Sequence, residues 1–238
     1  MEWRDEGVLL LARPHGEGAA IIDVLTLAHG RCAGIVRGGA SRKMAPHLQP
    51  GAQLDVTWKA RLEEHLGAFS VEPVRSRAAS LLGDRRALLA LQSACALVAR
   101  LLPEREAAPG FYGETTRLFD LMVMTDAWPL AYLRWELALL EAVGYGLDLT
   151  ACAVTGSHDN LIYVSPKSGR AVSEAGAGEW ADRLLPLPPA MLPGREGSDA
   201  EIAAAMVTTG FFIERALGDQ QPPDARRRLR EALGKSAA

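Results

Sequence analysis

Cysteine, long apolar runs and catalytic motifs are all scarce in this 238-residue chain, and each scarcity removes a class of protein. Its three cysteines, Cys32, Cys95 and Cys152, are too few and too scattered for a disulfide framework and fit a reducing compartment. Cys95, within Ser93-Ala94-Cys95-Ala96-Leu97, reads as a small buried hydrophobe. The longest apolar runs, such as Leu137–Leu140 and Ala203–Val207, fall far short of a bilayer span. The first residues (Met1-Glu2-Trp3-Arg4-Asp5-Glu6) carry acids and lack a cationic stretch followed by an apolar one, so a cytoplasmic location is expected. No Gly-x-Ser-x-Gly elbow, no phosphate loop ending in Gly-Lys-Ser/Thr and no His-Glu-x-x-His is present. The five histidines sit in five separate segments. Cys152, His158 and Asp159 contain the residue types of a nucleophile, a base and an orienting group. Their closeness within one loop is better explained by turn chemistry, and no catalytic site is expected.

What the chain does have is an uneven charge. Its net charge is -3, yet between Arg31 and Arg61 six cations (Arg31, Arg37, Arg42, Lys43, Lys59, Arg61) face one anion, Asp55. A chain that is acidic overall but holds one positive stretch is suited to an anionic partner, of which a nucleic-acid backbone is the commonest.

The hydrophobic pattern divides the sequence. Residues 1–80 read as five short strands: Gly7–Arg13, Gly18–Leu27, Arg31–Arg37, Gln53–Ala60 and His65–Val71. In the fourth, Leu54, Val56 and Trp58 alternate with Asp55, Thr57 and Lys59, the period of a half-buried strand. Five strands with one longer polar loop (40–50) suit a small barrel, which leaves no open edge. From residue 81 the composition shifts to Ala and Leu. Helices are predicted at Leu81–Leu102, Phe111–Thr125 and Pro129–Val143, the last with Pro129 in its first turn. Residues 148–177 interrupt them with short extended pieces (Leu161–Val164, Arg170–Ser173) between turns, as in a small knuckle. A short helix follows at Gly178–Leu185, then a proline-rich connector. Ser198-Asp199-Ala200-Glu201 is a capping box opening a helix to about Leu217, and Asp224 is expected to cap a last helix, Ala225–Leu233, whose arginines read as a solvated face. The fold class is thus α+β: a barrel domain (1–80), a helical domain (81–147 and 178–238) and a knuckle-like insertion (148–177).

The knuckle keeps the spacing of a metal site without its chemistry. Cys152 is followed three residues later by Thr155, and Ser173 three residues later by Gly176. A structural zinc needs four soft or nitrogen ligands, and one thiolate cannot hold it alone, so no zinc is expected. The basic stretch carries more weight. Its cations fall on strand ends and the long loop, near Trp58 and Phe69, and barrels that bind single strands combine a cationic groove with aromatic platforms.

Several segments resemble a known family. Trp3-x-x-Glu6-Gly7-x-x-Leu10, Arg13-Pro14-x-Gly16-Glu17, Val24-Leu25-Thr26, His29-Gly30-Arg31, Val36-Arg37-Gly38 and Leu48-Gln49-Pro50-Gly51 are similar to the N-terminal domain of the bacterial DNA repair proteins of the RecO family. Leu133-Arg134-Trp135-Glu136-Leu137-x-Leu139-Leu140 with Gly144-Tyr145-Gly146 resembles that family's central helical segment. Cys152-Ala153-Val154-Thr155-Gly156 and Ser165-Pro166-x-x-Gly169 resemble its knuckle, which binds zinc in many members. The resemblance implies an OB-type barrel and a recombination mediator rather than an enzyme. It implies binding of single- and double-stranded DNA, annealing of complementary strands without ATP, and loading of RecA together with RecR onto strands coated by single-strand DNA-binding protein (SSB). A nucleoid-associated cytoplasmic protein without membrane contact follows. On this reading Arg31, Arg37, Arg42, Lys43, Lys59 and Arg61 touch DNA phosphates. Arg134, with Leu133 and Leu137, receives the acidic tail of SSB, unless Arg134 pairs with Glu136 or Asp126. Two other readings stand beside it: an OB-type RNA-binding or ribosome-associated protein, and a hydrolase or transferase using the Cys152–Asp159 loop.

Overall fold

A computed structural model describes residues 1–62 and 64–235. The chain divides into two compact units, Met1–Thr125 and Asp126–Ala238.

The first unit is built on a closed five-stranded barrel, β1 Glu2–His15, β2 Ala19–Thr26, β3 Gly30–Val36, β4 Gln53–Lys59 and β5 Ala68–Arg75, in the order β1-β2-β3-β5-β4. β1 is long because it serves two neighbours. Its first half pairs with β4, from Glu2↔Lys59 to Val8↔Gln53, and its second half with β2, from Gly7↔Thr26 to His15↔Ala19. An irregularity between Leu9 and Leu11 re-aims the strand where it changes partner. A short parallel pairing, Ile35↔Ala68 and Val36↔Phe69, closes the barrel. The alternating burial of β3 and β4 places Leu54, Val56 and Trp58 in a core with Leu9, Ile22, Val24, Cys32 and Phe69. Each such large side chain contributes roughly 1.5–3 kcal/mol of hydrophobic stabilisation before entropic costs. The fifth strand begins three residues later than its composition suggests. Gly67 (φ +65°) lies so close under Trp58 that an added Cβ would sit 2.4 Å from the indole, and the chain turns there before it can pair.

Helices α1 (Arg77–Ser80), α2 (Arg85–Leu101) and α3 (Pro109–Met124) complete this unit. The composition shift at residue 81 suggests that α2 and α3 belong to the helical domain; by contact they belong with the barrel. Buried polar links explain the grouping. Arg77 donates to Asp120 Oδ1 on α3 (2.8 Å) and to Gln53 Oε1 on β4 (2.8 Å), and Gln53 Nε2 donates to Tyr112 Oη on α3 (2.8 Å). The Cys95 thiol of α2 faces the Leu9 carbonyl, and its burial pushes the thiol pKa up to about 12, the inert state expected of it. α2 starts at Arg85 rather than Leu81 because the Asp84 carboxylate caps it, accepting from the N–H groups of Arg86 and Ala87.

The second unit packs α4 (Trp128–Ala142), α6 (Asp199–Leu217) and α7 (Asp224–Gly234) around Leu133, Leu139, Leu140, Met206, Ile213, Leu229 and Leu233. Between α4 and α6 lie a small sheet of β6 (Leu161–Val164), β7 (Ala171–Ser173) and β8 (Leu185–Pro186), in the order β7-β6-β8, and the single-turn helix α5 (Glu174–Ala177). The helix expected at Gly178–Leu185 is a 3-10 segment, Gly178–Arg183. The capping box at Ser198 forms as expected, with Ser198 Oγ accepting from Glu201 N–H and the Glu201 carboxylate accepting from Ser198 N–H. Asp224 is not the cap of α7. Pro223 holds that position, and the Asp224 carboxylate pairs instead with Arg227 and Arg228.

The arginine-rich α7 is also not simply a solvated face. Arg226 is buried and forms a two-point ion pair with the fully buried Glu136 of α4 (Nε–Oε1 2.8 Å, Nη2–Oε2 2.9 Å). It also donates to Met206 O (2.8 Å) and Thr209 Oγ1 (3.0 Å). Burial alone would lower the Arg226 pKa; Glu136 outweighs it and holds the guanidinium above its ordinary value. Among the described residues, no helix is long and apolar enough to cross a membrane.

Candidate nucleic-acid interface and peptide groove

The six cations singled out in the barrel separate into three kinds. Arg31 is sequestered: its side chain is only 14% exposed and binds Asp23 Oδ2 (2.7 Å), Glu104 Oε1 (3.4 Å) and the Leu102 carbonyl (2.9 Å). It ties β3 to the segment after α2, which corrects its expected role as a phosphate contact. Lys59 is exposed but shares Glu2 Oε1 across β1 and β4 (2.8 Å). Arg37, Arg42, Lys43 and Arg61 are exposed and form no ion pair with a described residue.

Three of these four, Arg37, Arg42 and Lys43, lie in the segment that follows the end of β3. Arg37 directly follows the strand. The loop carrying Arg42 and Lys43 is held to the β1–β2 turn by Ala40 N–H donating to Gly18 O (3.2 Å). Arg61 lies apart from them: its β4–β5 loop runs beside β3 toward the start of that strand, Gly67 O accepting from Ile35 N–H (3.1 Å) and His65 O from Arg105 Nη2 (2.8 Å), while Arg105 N–H donates to Arg31 O (2.8 Å). Arg13, at the β1 side of the same turn, is exposed and likewise without an ion pair among the described residues. Sequence reading missed it because it lies outside the 31–61 run. The one anion of that run, Asp55, is neutralised by Arg4 (Nε–Oδ1 2.9 Å), which holds its carboxyl below the usual range.

The aromatic platform needs correction. Trp58 and Phe69 are buried in the barrel core, 2% and 4% exposed, and present no open face. For Trp58 the alternation of the fourth strand already points the ring inward. Trp3 is the accessible ring of this group: it stacks on His29 (4.0 Å between centroids) and lies against Trp58 (5.6 Å).

In the second unit, Arg134 is exposed on α4 and donates to the carbonyl of Arg195 (2.9 Å) rather than to Glu136, whose carboxylate belongs to Arg226. It stands at a groove of about 510 Å³. The apolar walls are Leu137, Leu147, Leu149, Met191 and Pro193. Leu133 is fully buried and takes no part, since its position on α4 points into the helical core. The replacements come from the knuckle and the proline-rich connector, which helical periodicity could not connect to Arg134. Two acids, Glu141 and Asp148, also border the groove. Asp148 is engaged by Thr150 and Arg170, and the Thr150 hydroxyl above all keeps its carboxyl below the usual range.

The knuckle positions converge. Cys152 Sγ accepts from Ser173 N–H (3.2 Å), Ser173 O–H (3.2 Å) and Thr155 N–H (3.4 Å). Thr155 Oγ1 lies 3.5 Å from Ser173 Oγ, and Gly176 N–H donates to Ser173 Oγ (3.1 Å). Burial works against ionisation of Cys152, but the bonds from Ser173 and Thr155 outweigh it and bring its pKa down to about 6. As a donor set for zinc, one sulfur, two hydroxyls and a glycine do not fit. Among the described residues no three His, Cys, Asp or Glu side chains gather as a metal would require. The Cys–His–Asp reading is not assembled either: Cys152 is taken by Ser173 and Thr155, while His158 Nδ1 faces Thr150 O (2.7 Å).

Comparison with known proteins agrees with this architecture. Residues 1–77 match the family model described as recombination protein O N terminal, and residues 82–224 the one described as recombination protein O C terminal. DNA repair protein RecO of Roseobacter denitrificans is 61% identical over 99% of both chains. The RecO proteins of a Ruegeria species and of Cereibacter sphaeroides are 59% and 57% identical over 99% of this chain. The barrel, the helices that follow it and these full-length likenesses lead to one conclusion: the chain belongs to the RecO family of DNA repair and recombination proteins.

Proposed function

We propose that this chain is a non-enzymatic recombination mediator that binds single- and double-stranded DNA through the end of its barrel, anneals complementary strands without ATP, and assists RecA loading with RecR on SSB-coated strands. The observation that supports the DNA contact is the set of exposed cations Arg13, Arg37, Arg42 and Lys43, on the β1–β2 turn and the loop after β3 that is bonded to it, none of them in an ion pair among the described residues. Folded proteins ordinarily pair or disperse such charge. Left open on an OB-type barrel, it suits phosphates, which give affinity without sequence preference and steep salt dependence. Neutralising two backbones at once also lets complementary strands approach, so annealing needs no fuel. The test is anisotropy of a labelled oligonucleotide across a salt series, with RNA as competitor, followed by duplex formation from SSB-coated strands without nucleotide. Binding that ignores salt, or a strong preference for RNA, would remove this reading.

The groove beside Arg134 supports the partner assignment. Its apolar walls suit an aromatic or aliphatic chain end, and a guanidinium offers a carboxylate two parallel hydrogen bonds. The acidic, carboxylate-terminated tail of SSB combines these features. Titration of a synthetic tail peptide, in free-acid and amidated forms, tests it: equal affinity for both would mean that the carboxylate is not read at this site.

A further inference from the structure

We infer that the knuckle of this chain is held by a hydrogen-bonded sulfur at a set of positions with the spacing, but not the ligands, of a metal site. The four positions with metal-site spacing, 152, 155, 173 and 176, still converge, although only one retains a ligand. The distances are shorter than those between the ligands of a metal. Cys152 Sγ to Ser173 Oγ is 3.2 Å and Thr155 Oγ1 to Ser173 Oγ is 3.5 Å. Thiolates at about 2.3 Å from a tetrahedral zinc stand nearly 4 Å apart. The small side chains enclose the thiol, which is 2% exposed.

Two details show that this cluster holds the turns together. First, the sulfur receives three donors from both turns: Thr155 N–H on its own turn, and the N–H and O–H of Ser173 on the other. Second, Ser173 passes the connection on. Its hydroxyl, while donating to sulfur, accepts from Gly176 N–H and so caps the single turn of α5. Gly176 completes the arrangement by having no side chain: a Cβ there would lie 2.8 Å from Cys152 Sγ and 3.1 Å from Ser173 Oγ. Glycine at 176 is the residue that lets the hydroxyl and the sulfur meet without a metal between them.

This inference concerns the knuckle alone and stands whether or not the barrel binds DNA. Full-length protein made in zinc-supplemented medium should contain well below one zinc per chain by elemental analysis, and a chelator should leave its melting unchanged. Stoichiometric zinc, lost to the chelator together with stability, would overturn the inference. Cys152→Ala should lower the melting temperature by about 3–6 °C, and Cys152→Ser, which keeps an acceptor, should recover much of that loss. Equal losses in both would show that the sulfur only fills space. The converse experiment restores the ligands. Thr155→Cys/Ser173→Cys/Gly176→Cys should gain about one zinc per chain. The double variant Thr155→Cys/Ser173→Cys, which avoids the crowded position 176, should take up zinc through three thiolates. A folded double variant that binds none would mean that the positions do not converge as described.

Discussion

The basic loop of the barrel and the last helix α7 carry similar concentrations of positive charge and use it in opposite ways. In α7, Arg226 is buried against Glu136, and Arg227 and Arg228 are drawn to Asp224, with Arg227 also reaching Glu231. Past the end of β3, Arg37, Arg42 and Lys43 have no such company among the described residues. A run of arginines therefore says little about function until its anions are located. The same charge density is internal scaffolding in one unit and open surface in the other.

The largest effect that would test this contrast lies in α7. Arg226→Ala strands Glu136 in a core where it is fully buried, and should cost about 3–5 kcal/mol in denaturant unfolding. Arg228→Ala, on the exposed face of the same helix, should leave the unfolding midpoint essentially where it was. If both substitutions behaved alike, the distinction between the two kinds of arginine would fail. In the barrel the signs reverse. Arg42→Ala/Lys43→Ala should leave stability intact and reduce the slope of log affinity against log salt by about 2. Arg31→Ala should destabilise the barrel unit and barely move that slope.

A middle-sized effect concerns the groove. Losing the Arg134 fork should weaken an acidic tail peptide by about 10–100-fold, the worth of a hydrogen bond to a charged group. Leu137→Ala should also weaken it, while Glu141→Gln, removing an opposing charge from the wall, should tighten it modestly. The smallest effect is a pH dependence next to Arg31. Burial, exceeding the pull of Arg31, raises the Asp23 pKa to about 6, and Asp23 Oδ1 is buried without a partner among the described residues. A carboxyl with a raised folded-state pKa contributes stability that is complete below about 4 and is lost as pH rises through about 6. The barrel unit should therefore weaken by about 1–3 kcal/mol over that window, and Asp23→Asn should flatten the slope.

Strands and helices were legible in the sequence wherever period and caps agree. Leu54, Val56 and Trp58 fall inward as alternation requires, and Ser198 and Glu201 form their box. Two kinds of information were not legible. Long-range polar pairing cannot be read from local pattern: nothing near Arg226 announces Glu136, ninety residues away, and nothing near Arg31 announces that Asp23 and Glu104 will enclose it. Composite surfaces are equally hidden. The groove at Arg134 borrows Leu147, Leu149, Met191 and Pro193 from segments whose own pattern shows only turns and prolines. Leu133, which sits beside Arg134 in sequence, points away from it. The knuckle was readable in the negative sense, as missing ligands, but not in the positive one, because convergence on a sulfur leaves no spacing signature of its own.

Arg77 carries a consequence for how this architecture can be taken apart. One guanidinium touches the Gly51 carbonyl, the Gln53 side chain and Asp120. It therefore fastens the end of the long loop, the fourth strand and the third helix with a single cation. A fragment ending just after the fifth strand would delete Asp120 and leave the neighbouring Gln53 without Tyr112. The smallest portion that could be exchanged between relatives as an intact module runs to Thr125. Chimeras joined near residue 80, where composition suggests a seam, would cut through a wall rather than a hinge.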